Sequence, residues 1–353
     1  MFVESPYGSS RGGVFLRNKK LFLLMFVFFL LIFLLSGLLY GQQLAKNNAV
    51  KMQPFPQVNT SISTSEPVEA ESNVTANKET TVPRKEWYRN QVVVLSYHHV
   101  TKNPTQPFAI TPEQFAEQMS FIHEQDLHPI SLNEFITFME TGNLPTANAV
   151  LLTFDDGYES YYTEAFPIMR SFGFPSVNFV IAGRVRDIAE RKRENMTPPL
   201  TRQQVKELVA TGMADIGSHT YSLHGQAARN EWGEAGPVTA PVYLEDLQRL
   251  EAEQEYRDRL YVDFSLSRVG LSEWLNQPVE ILSLPFGYTN EIVQETAKQT
   301  GYRYVFHSTP GVVTSKTDHY AITRYDVGVP DMDLAKLHQI FTKAKNTFEG
   351  EQS

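Results

Sequence analysis

The 353-residue chain has no cysteine. That absence excludes a disulfide framework, a thiolate metal centre, a cysteine nucleophile and a lipid-modified cysteine anchor, so any metal must be held by histidine and carboxylate. Positive charge is also scarce: 31 Lys and Arg stand against 40 Asp and Glu, a formal charge of -9. With no basic face to neutralise phosphates, the chain is not expected to bind nucleic acid. Hydrophobic residues make up 42% of the sequence. That suffices for one large domain of about 200–250 residues with appendages.

Long apolar runs are missing except for one. Residues 21–39, LFLLMFVFFLLIFLLSGLL, carry no charge; as a helix they would reach about 28 Å, close to the hydrocarbon thickness of a bilayer. Arg11, Arg17, Lys19 and Lys20 precede the run, and no acid lies between Ser5 and its start. The positive-inside rule therefore puts residues 1–20 in the cytoplasm and the chain beyond residue 39 outside the cell membrane. A cleaved signal peptide is the alternative, but its apolar core is usually about 7–15 residues long. One uncleaved transmembrane helix over 21–39 is the expectation. Residues 40–90 then turn to Ser, Thr, Asn, Glu and Val with scattered Pro and no apolar period, which predicts a flexible linker.

From residue 91 to about 345, strand-like and helix-like segments alternate. VVVLSY (Val92 to Tyr97), AVLLTF (Ala149 to Phe154), SVNFVI (Ser176 to Ile181) and Met213 to Ser218 are short, apolar and rich in β-branched residues, as buried strands are. Thr111-Pro112-Glu113-Gln114 and Ser131 with Glu134 are capping boxes that open helices; further helices are expected over Ser160–Phe172, Thr201–Thr211 and Asn290–Thr300. SLPFGY (Ser283 to Tyr288) and YRYVFH (Tyr302 to His307) complete the series. This order predicts one domain, an α/β fold in which a parallel sheet closes into a distorted (β/α) barrel. The polar stretch 225–241 is too long for an ordinary loop and reads as an insertion near the rim that shapes access for a polymer. Leu244 to Leu260 reads as a charged, solvated helix.

In parallel α/β folds the ligand site lies at the carboxyl ends of the strands. His98 and His99 follow the first strand, Asp155 and Asp156 the second, and His219 and His224 a third; Pro285, Phe286 and Gly287 follow Leu284. Two adjacent carboxylates repel, so one would protonate unless a cation or hydrogen bonds compensate. On an extended chain they point to opposite sides, which suits two separate tasks. Asp-Asp-Gly is also a common turn sequence. Two histidines and a carboxylate with open positions make the usual hydrolytic metal site. The five-residue spacing of His219 and His224 is not a helical turn, and it places both on an irregular loop. His123, His128, His307, His319 and His338 read as structural.

Thr153-Phe154-Asp155-Asp156-Gly157-Tyr158 resembles the first motif of the NodB-type polysaccharide deacetylases (carbohydrate esterase family four), and Ser218 to His224 resembles their second, histidine-containing motif. The histidine spacing resembles that of the PgaB/IcaB branch, as does Val94-Leu95-Ser96-Tyr97-His98-His99-Val100, with His99 where the branch has Asp. Leu284 to Tyr288 resembles the third motif. Its Arg position is Ser283 here, and that task is either dispensed with or filled by Arg324. No late-chain equivalent of the family's catalytic histidine is found, in keeping with the branch's circularly permuted barrel. The resemblance covers roughly residues 92 to 330. It implies a distorted NodB-type barrel and a divalent metal, Zn2+ by default with Co2+ or Ni2+ as alternatives, on Asp156, His219 and His224. It further implies Asp155 as general base, His98 as general acid to the leaving amine, and a backbone N–H near Tyr288, beside Pro285 and Gly287, as an oxyanion donor. Tyr158, Phe286 and Tyr288 are candidate sugar-stacking aromatics. The implied activity is removal of N-acetyl groups from an N-acetylglucosamine polysaccharide, poly-β-1,6-N-acetylglucosamine of biofilms first, by an enzyme anchored in the membrane and facing outward. The rival readings are an N-deacetylase of peptidoglycan or another wall glycan, and a catalytically silent glycan-binding module.

Overall fold

A computed structural model describes residues 86–187 and 197–351, with 346–351 described by backbone alone. The expected cytoplasmic stretch, the transmembrane helix 21–39 and nearly all of the 40–90 linker lie outside these residues. Among the described residues no helix is long and apolar enough to cross a membrane.

The strands in chain order are β1 (Gln91–Tyr97), β2 (His99–Val100), β3 (Ala109–Ile110), β4 (His128–Pro129), β5 (Ala149–Phe154), β6 (Ser176–Val180), β7 (Ala214–Ser218) and β8 (Gln226–Ala228). They continue as β9 (Ala235–Pro237), β10 (Tyr243–Leu244), β11 (Arg249–Leu250), β12 (Ile281–Ser283), β13 (Tyr304–Phe306), β14 (Val313–Thr314) and β15 (Tyr325–Asp326). The main sheet runs β13-β12-β7-β6-β5-β1, with β14 and β15 both on β1 and β4 on β5. Its pairings are parallel apart from β1 with β14.

The sheet curls until its edges meet. Phe306 at the end of β13 bridges in parallel to Ile322, and Ile322 N–H donates to Val305 O at 2.9 Å. The same extended segment continues into β15, which pairs Leu95 with Tyr325 and Ser96 with Asp326 on β1. Ile322–Asp326 thus spans the gap between the first and last barrel strands. Every residue of β1 and of β5 is buried because both faces are covered. Val92, Val94, Leu151, Val177, Phe179, Ile281 and Phe306 fill the barrel interior in one cluster. The alternate residues Val93, Leu95, Leu152 and Phe154 meet the surrounding helices in another.

Among the described residues seven α-helices pack on the sheet: α1 (Pro112–Glu124), α2 (Leu132–Thr141), α3 (Phe166–Phe172), α4 (Arg202–Ala210), α5 (Glu253–Leu275), α6 (Glu291–Gln299) and α7 (Leu334–Glu351). Both expected capping boxes form, at Thr111 with Gln114 and at Ser131 with Glu134. Two expectations need correction. The helix read from Ser160 opens as a π turn over Tyr161–Ala165, because Pro167 has no N–H for an α bond and its ring crowds the preceding turn. The helix read over Leu244–Leu260 instead begins at Glu253 and runs to Leu275, after a β10–β11 hairpin in which Gln248 is left-handed (φ 50°). Glu255 starts it, accepting the Ala252 N–H at 2.7 Å. The 225–241 insertion is largely a β8–β9 hairpin whose turn leaves Trp232 82% exposed. None of its residues lines the cavity at the rim.

Candidate active site

β5 delivers its two carboxylates in opposite directions because the chain turns left-handed directly after Asp155. Asp156 has φ 72° and Gly157 φ 66°. A Cβ on residue 157 would lie 2.9 Å from Val180 Cγ1, so only glycine fits there. Asp-Asp-Gly is therefore a turn, and the same turn brings both carboxylates to the cavity wall.

Asp155 points into the barrel. Arg324 grips it in bidentate fashion, Nη1 to Oδ1 at 2.8 Å and Nη2 to Oδ2 at 2.7 Å. Ser283 Oγ donates to Oδ2 at 2.9 Å and accepts from Arg324 Nη2 at 2.9 Å. Arg324 is 0% exposed. Burial alone would raise the Asp155 carboxyl, but the Arg324 guanidinium, with His219 and His98 nearby, holds it well below the ordinary carboxylate range. The arginine missing at the Ser283 position is thus supplied by the barrel-closing segment.

Asp156 points to the other side. Its Oδ1 lies 2.8 Å from His224 Nε2 and 3.4 Å from His219 Nε2, and donor atoms of the three residues lie within 4.8 Å of one another. His219 Nδ1 is 2.9 Å from Ser283 O. A carbonyl can only accept, so Nδ1 carries the proton and Nε2 presents a bare lone pair. Burial pushes the His219 pKa down to about 4, keeping the ring neutral at pH 7. A lone pair and a buried carboxylate oxygen then face each other across 3.4 Å, with His224 Nε2 the nearer neighbour of that oxygen at 2.8 Å. Such a juxtaposition is relieved by a cation, and two imidazoles with one carboxylate and an open side suit a transition metal.

His98 faces the same cavity of about 380 Å³, with Asp155, Asp156, His219 and His224 in its walls. Its Nδ1 is buried without a partner, and Phe108 packs on its ring at 4.9 Å. Asp326 lines the same wall; burial raises its carboxyl against the pull of Arg324 and His98. His99 turns away, its Nδ1 2.6 Å from Ser160 Oγ and its ring 4.9 Å from Tyr158.

The third motif is rearranged relative to expectation. Phe286 (φ 57°) and Gly287 (φ 63°) are both left-handed and wind Pro285–Gly287 into a single tight turn. The Gly287 and Tyr288 amides therefore point back, to Leu284 O at 2.9 Å and Pro285 O at 3.3 Å. The expected oxyanion donor near Tyr288 is occupied within its own turn. Gly287 and Phe286 line the cavity; Pro285 and Tyr288 do not. The Tyr288 side chain packs instead against the α5–α6 cluster, its hydroxyl accepting from Asn290 Nδ2 at 3.2 Å. Phe286 is exposed and stacks on His224 at 5.1 Å.

Sequence reasoning passed over Asp326, Phe108 and Asp263. Asp326 had a signal: two residues beyond Arg324 on an extended segment, it shares that residue's face. Phe108 lies in a loop with no pattern. Asp263 sits in α5 and accepts from the Tyr221 and Ser222 amides within the His219–His224 loop.

Residues 143–305 match the family model described as polysaccharide deacetylase. The chain is 28% identical over 255 residues to a poly-beta-1,6-N-acetyl-D-glucosamine N-deacetylase of Escherichia coli K12, covering 68% of this chain and 37% of that protein. It is 24% identical over 264 residues to the enzyme of the same name from Staphylococcus aureus MSSA476, covering 70% of this chain and 83% of that one. It therefore spans little more than a third of the Escherichia coli relative's length. Among solved structures it resembles IcaB from Ammonifex degensii (TM-score 0.58, 26% identity, 72% of this chain and 97% of that chain). The BpsB deacetylase domain from Bordetella bronchiseptica is similar (TM-score 0.59, 27% identity, 67% and 95%). The fold is also that of a de-N-acetylase from Aggregatibacter actinomycetemcomitans (TM-score 0.65, 24% identity, 71% and 99%).

Proposed function

Because this chain carries a polysaccharide deacetylase domain of the NodB type, we propose that it is a metal-dependent N-deacetylase of poly-β-1,6-N-acetylglucosamine. The observation that carries this reading is the side-by-side arrangement of an ionised, Arg324-clamped Asp155 and the Asp156, His219, His224 donor set in one cavity. The relatives' names support the choice of polymer.

A divalent ion, Zn2+ by default with Co2+ or Ni2+ as alternatives, would be held by Asp156, His219 and His224 and would supply Lewis acidity towards the acetamide carbonyl. The remaining steps belong to the chain. Asp155 stays ionised because Arg324 and Ser283 stabilise its charge, and it takes the proton of the attacking water on a free lone pair. His98 gives a proton to the departing amine nitrogen, which is otherwise a poor leaving group. The exposed faces of Phe108 and Phe286 offer apolar walls for sugar rings. The apolar run 21–39 behind its basic flank supports an anchored domain that faces outward.

The test is acetate release from β-1,6-linked N-acetylglucosamine oligomers by the full-length protein, with and without a chelator. Asp155→Asn, which keeps the side chain's shape and an acceptor for Arg324, and His219→Ala should each abolish release and leave the circular dichroism unchanged; activity surviving in both refutes the reading. Peptidoglycan fragments assayed beside the oligomers decide between polymers.

A further inference from the structure

Two side chains on α5 face the loop that carries the metal donors. Asp263 (5% exposed) and Ser267 (0%) lie one helical turn apart in a helix whose other face is largely solvent-exposed. Asp263 Oδ1 accepts the Tyr221 N–H at 2.8 Å; Oδ2 accepts the Ser222 N–H at 2.8 Å and the Ser222 hydroxyl at 3.0 Å. Ser267 Oγ lies 2.6 Å from Ser218 Oγ, which accepts the Thr220 N–H at 3.2 Å.

Every amide of the His219–Leu223 loop can be traced. His219 donates to Val180 O at 2.8 Å, and Leu223 to Thr220 Oγ1 at 3.1 Å. Tyr221 and Ser222 go to Asp263, and Thr220 reaches Ser218 backed by Ser267. Two of the five amides thus go to α5 directly, and a third goes to a serine that α5 contacts. The dependence matters because Thr220, β-branched, is left-handed at φ 68°, a conformation that persists only where its surroundings over-determine it. That turn sets the direction in which His219 leaves β7 and the path by which the chain returns with His224.

We infer that Asp263, seconded by Ser267, is a positioning residue for the metal site: it holds the strained His219–His224 loop so that both imidazoles meet Asp156 at one point. Two adjacent N–H groups converge on one residue, and only a carboxylate offers an acceptor to each; an asparagine would accept one and set its NH2 against the other. This rests on the metal-site reading above. It also separates Asp263 and Ser267 from the core residues of the same helix, Leu260, Phe264 and Leu271, since removing a brace loosens metal geometry more than it loosens the fold.

The experiment measures Zn2+ affinity of the metal-stripped full-length protein against a competing chelator, with thermal melting of each apo-protein alongside. Asp263→Asn should weaken Zn2+ binding ten- to a hundredfold, the range typical for loss of an outer partner of a ligand. Ser267→Ala should weaken it a few-fold and serves where the Asp263 variant fails to fold. Leu271→Ala removes a fully buried side chain from the same helix, away from the loop; it should lower the melting temperature and leave affinity within twofold. Backbone exchange over residues 219–224 in the apo-protein should rise in Asp263→Asn and not in Leu271→Ala. Affinity within twofold of the parent in both Asp263→Asn and Ser267→Ala, or losses that simply follow melting temperature across all three variants, overturns the inference. A parent protein that takes up none of Zn2+, Co2+ and Ni2+ overturns the metal-site reading, and the brace with it.

Discussion

Replacing Arg324 by methionine removes the guanidinium and keeps most of the side-chain bulk, so its consequence is electrostatic. In the parent protein Asp155 receives two charge-assisted hydrogen bonds from Arg324 and one from Ser283, at a site only 2% exposed. The variant leaves a buried carboxylate with the serine hydroxyl alone. Breaking a buried, hydrogen-bonded ion pair by deleting one partner destabilises by about 3–5 kcal/mol at pH 7, a large part of the roughly 5–15 kcal/mol of a typical domain. The sign of the pH dependence follows. In the parent the Asp155 pKa is depressed, so its contribution is present above the unfolded-state value and lost as pH falls. In Arg324→Met, burial dominates and raises that pKa, so the variant regains stability as pH falls towards it. Asp155→Asn combined with Arg324→Met removes both charges and should return most of the loss, to within about 2 kcal/mol of the parent. Urea unfolding at several pH values, with chelator present, reads all three proteins. An Arg324→Met variant within about 1 kcal/mol of the parent at pH 7, or a double variant no better than the single one, would show that the pair is not the buried clamp described.

His98→Ala should lower kcat by about 10²–10⁴-fold while Zn2+ affinity stays at the parent value, because His98 is outside the donor set; equal losses in both would assign it to the metal. Gly157→Ala forces a Cβ to within 2.9 Å of Val180 at φ 66°, and should lose about 1–3 kcal/mol in urea unfolding; an unchanged midpoint would contradict the turn. In the apo-protein His219, with its pKa pushed down to about 4, binds fewer protons than the unfolded chain below the usual histidine value near 6.5, so stability should fall as pH drops from roughly 6.5 to 4. His219→Ala should flatten that slope, and an unaltered slope would remove His219 as its source.

Much of the site could be read from the chain because parallel strands of buried residues end at a common rim. AVLLTF followed by Asp155-Asp156 and MADIGS followed by His219 announce both the strand and the side chain delivered by it. Capping boxes at Thr111 and Ser131 were legible for the same reason: their chemistry is local. What escaped was non-local. Arg324 lies 169 residues from Asp155, and only the empty arginine position at Ser283 pointed to it. Asp263 lies just beyond Leu244–Leu260, the stretch that reads as a solvated helix; its burial follows from a loop 41 residues away. The inward-turned amides of Gly287 and Tyr288 escaped because Phe286 adopts a left-handed backbone that no propensity assigns to phenylalanine.

The clasp that fastens the barrel is a short stretch of chain, Ile322–Asp326, and it carries the counter-charge of the base. In the proposed mechanism, closing the sheet and charging its base therefore rest on the same few residues, packed against the first strand. A chain cut short of Ile322 would still own Asp156, His219 and His224, and so the means to bind an ion, but would be unable to keep Asp155 charged beside them. The proposed hydrolysis would in this way be reserved for finished molecules.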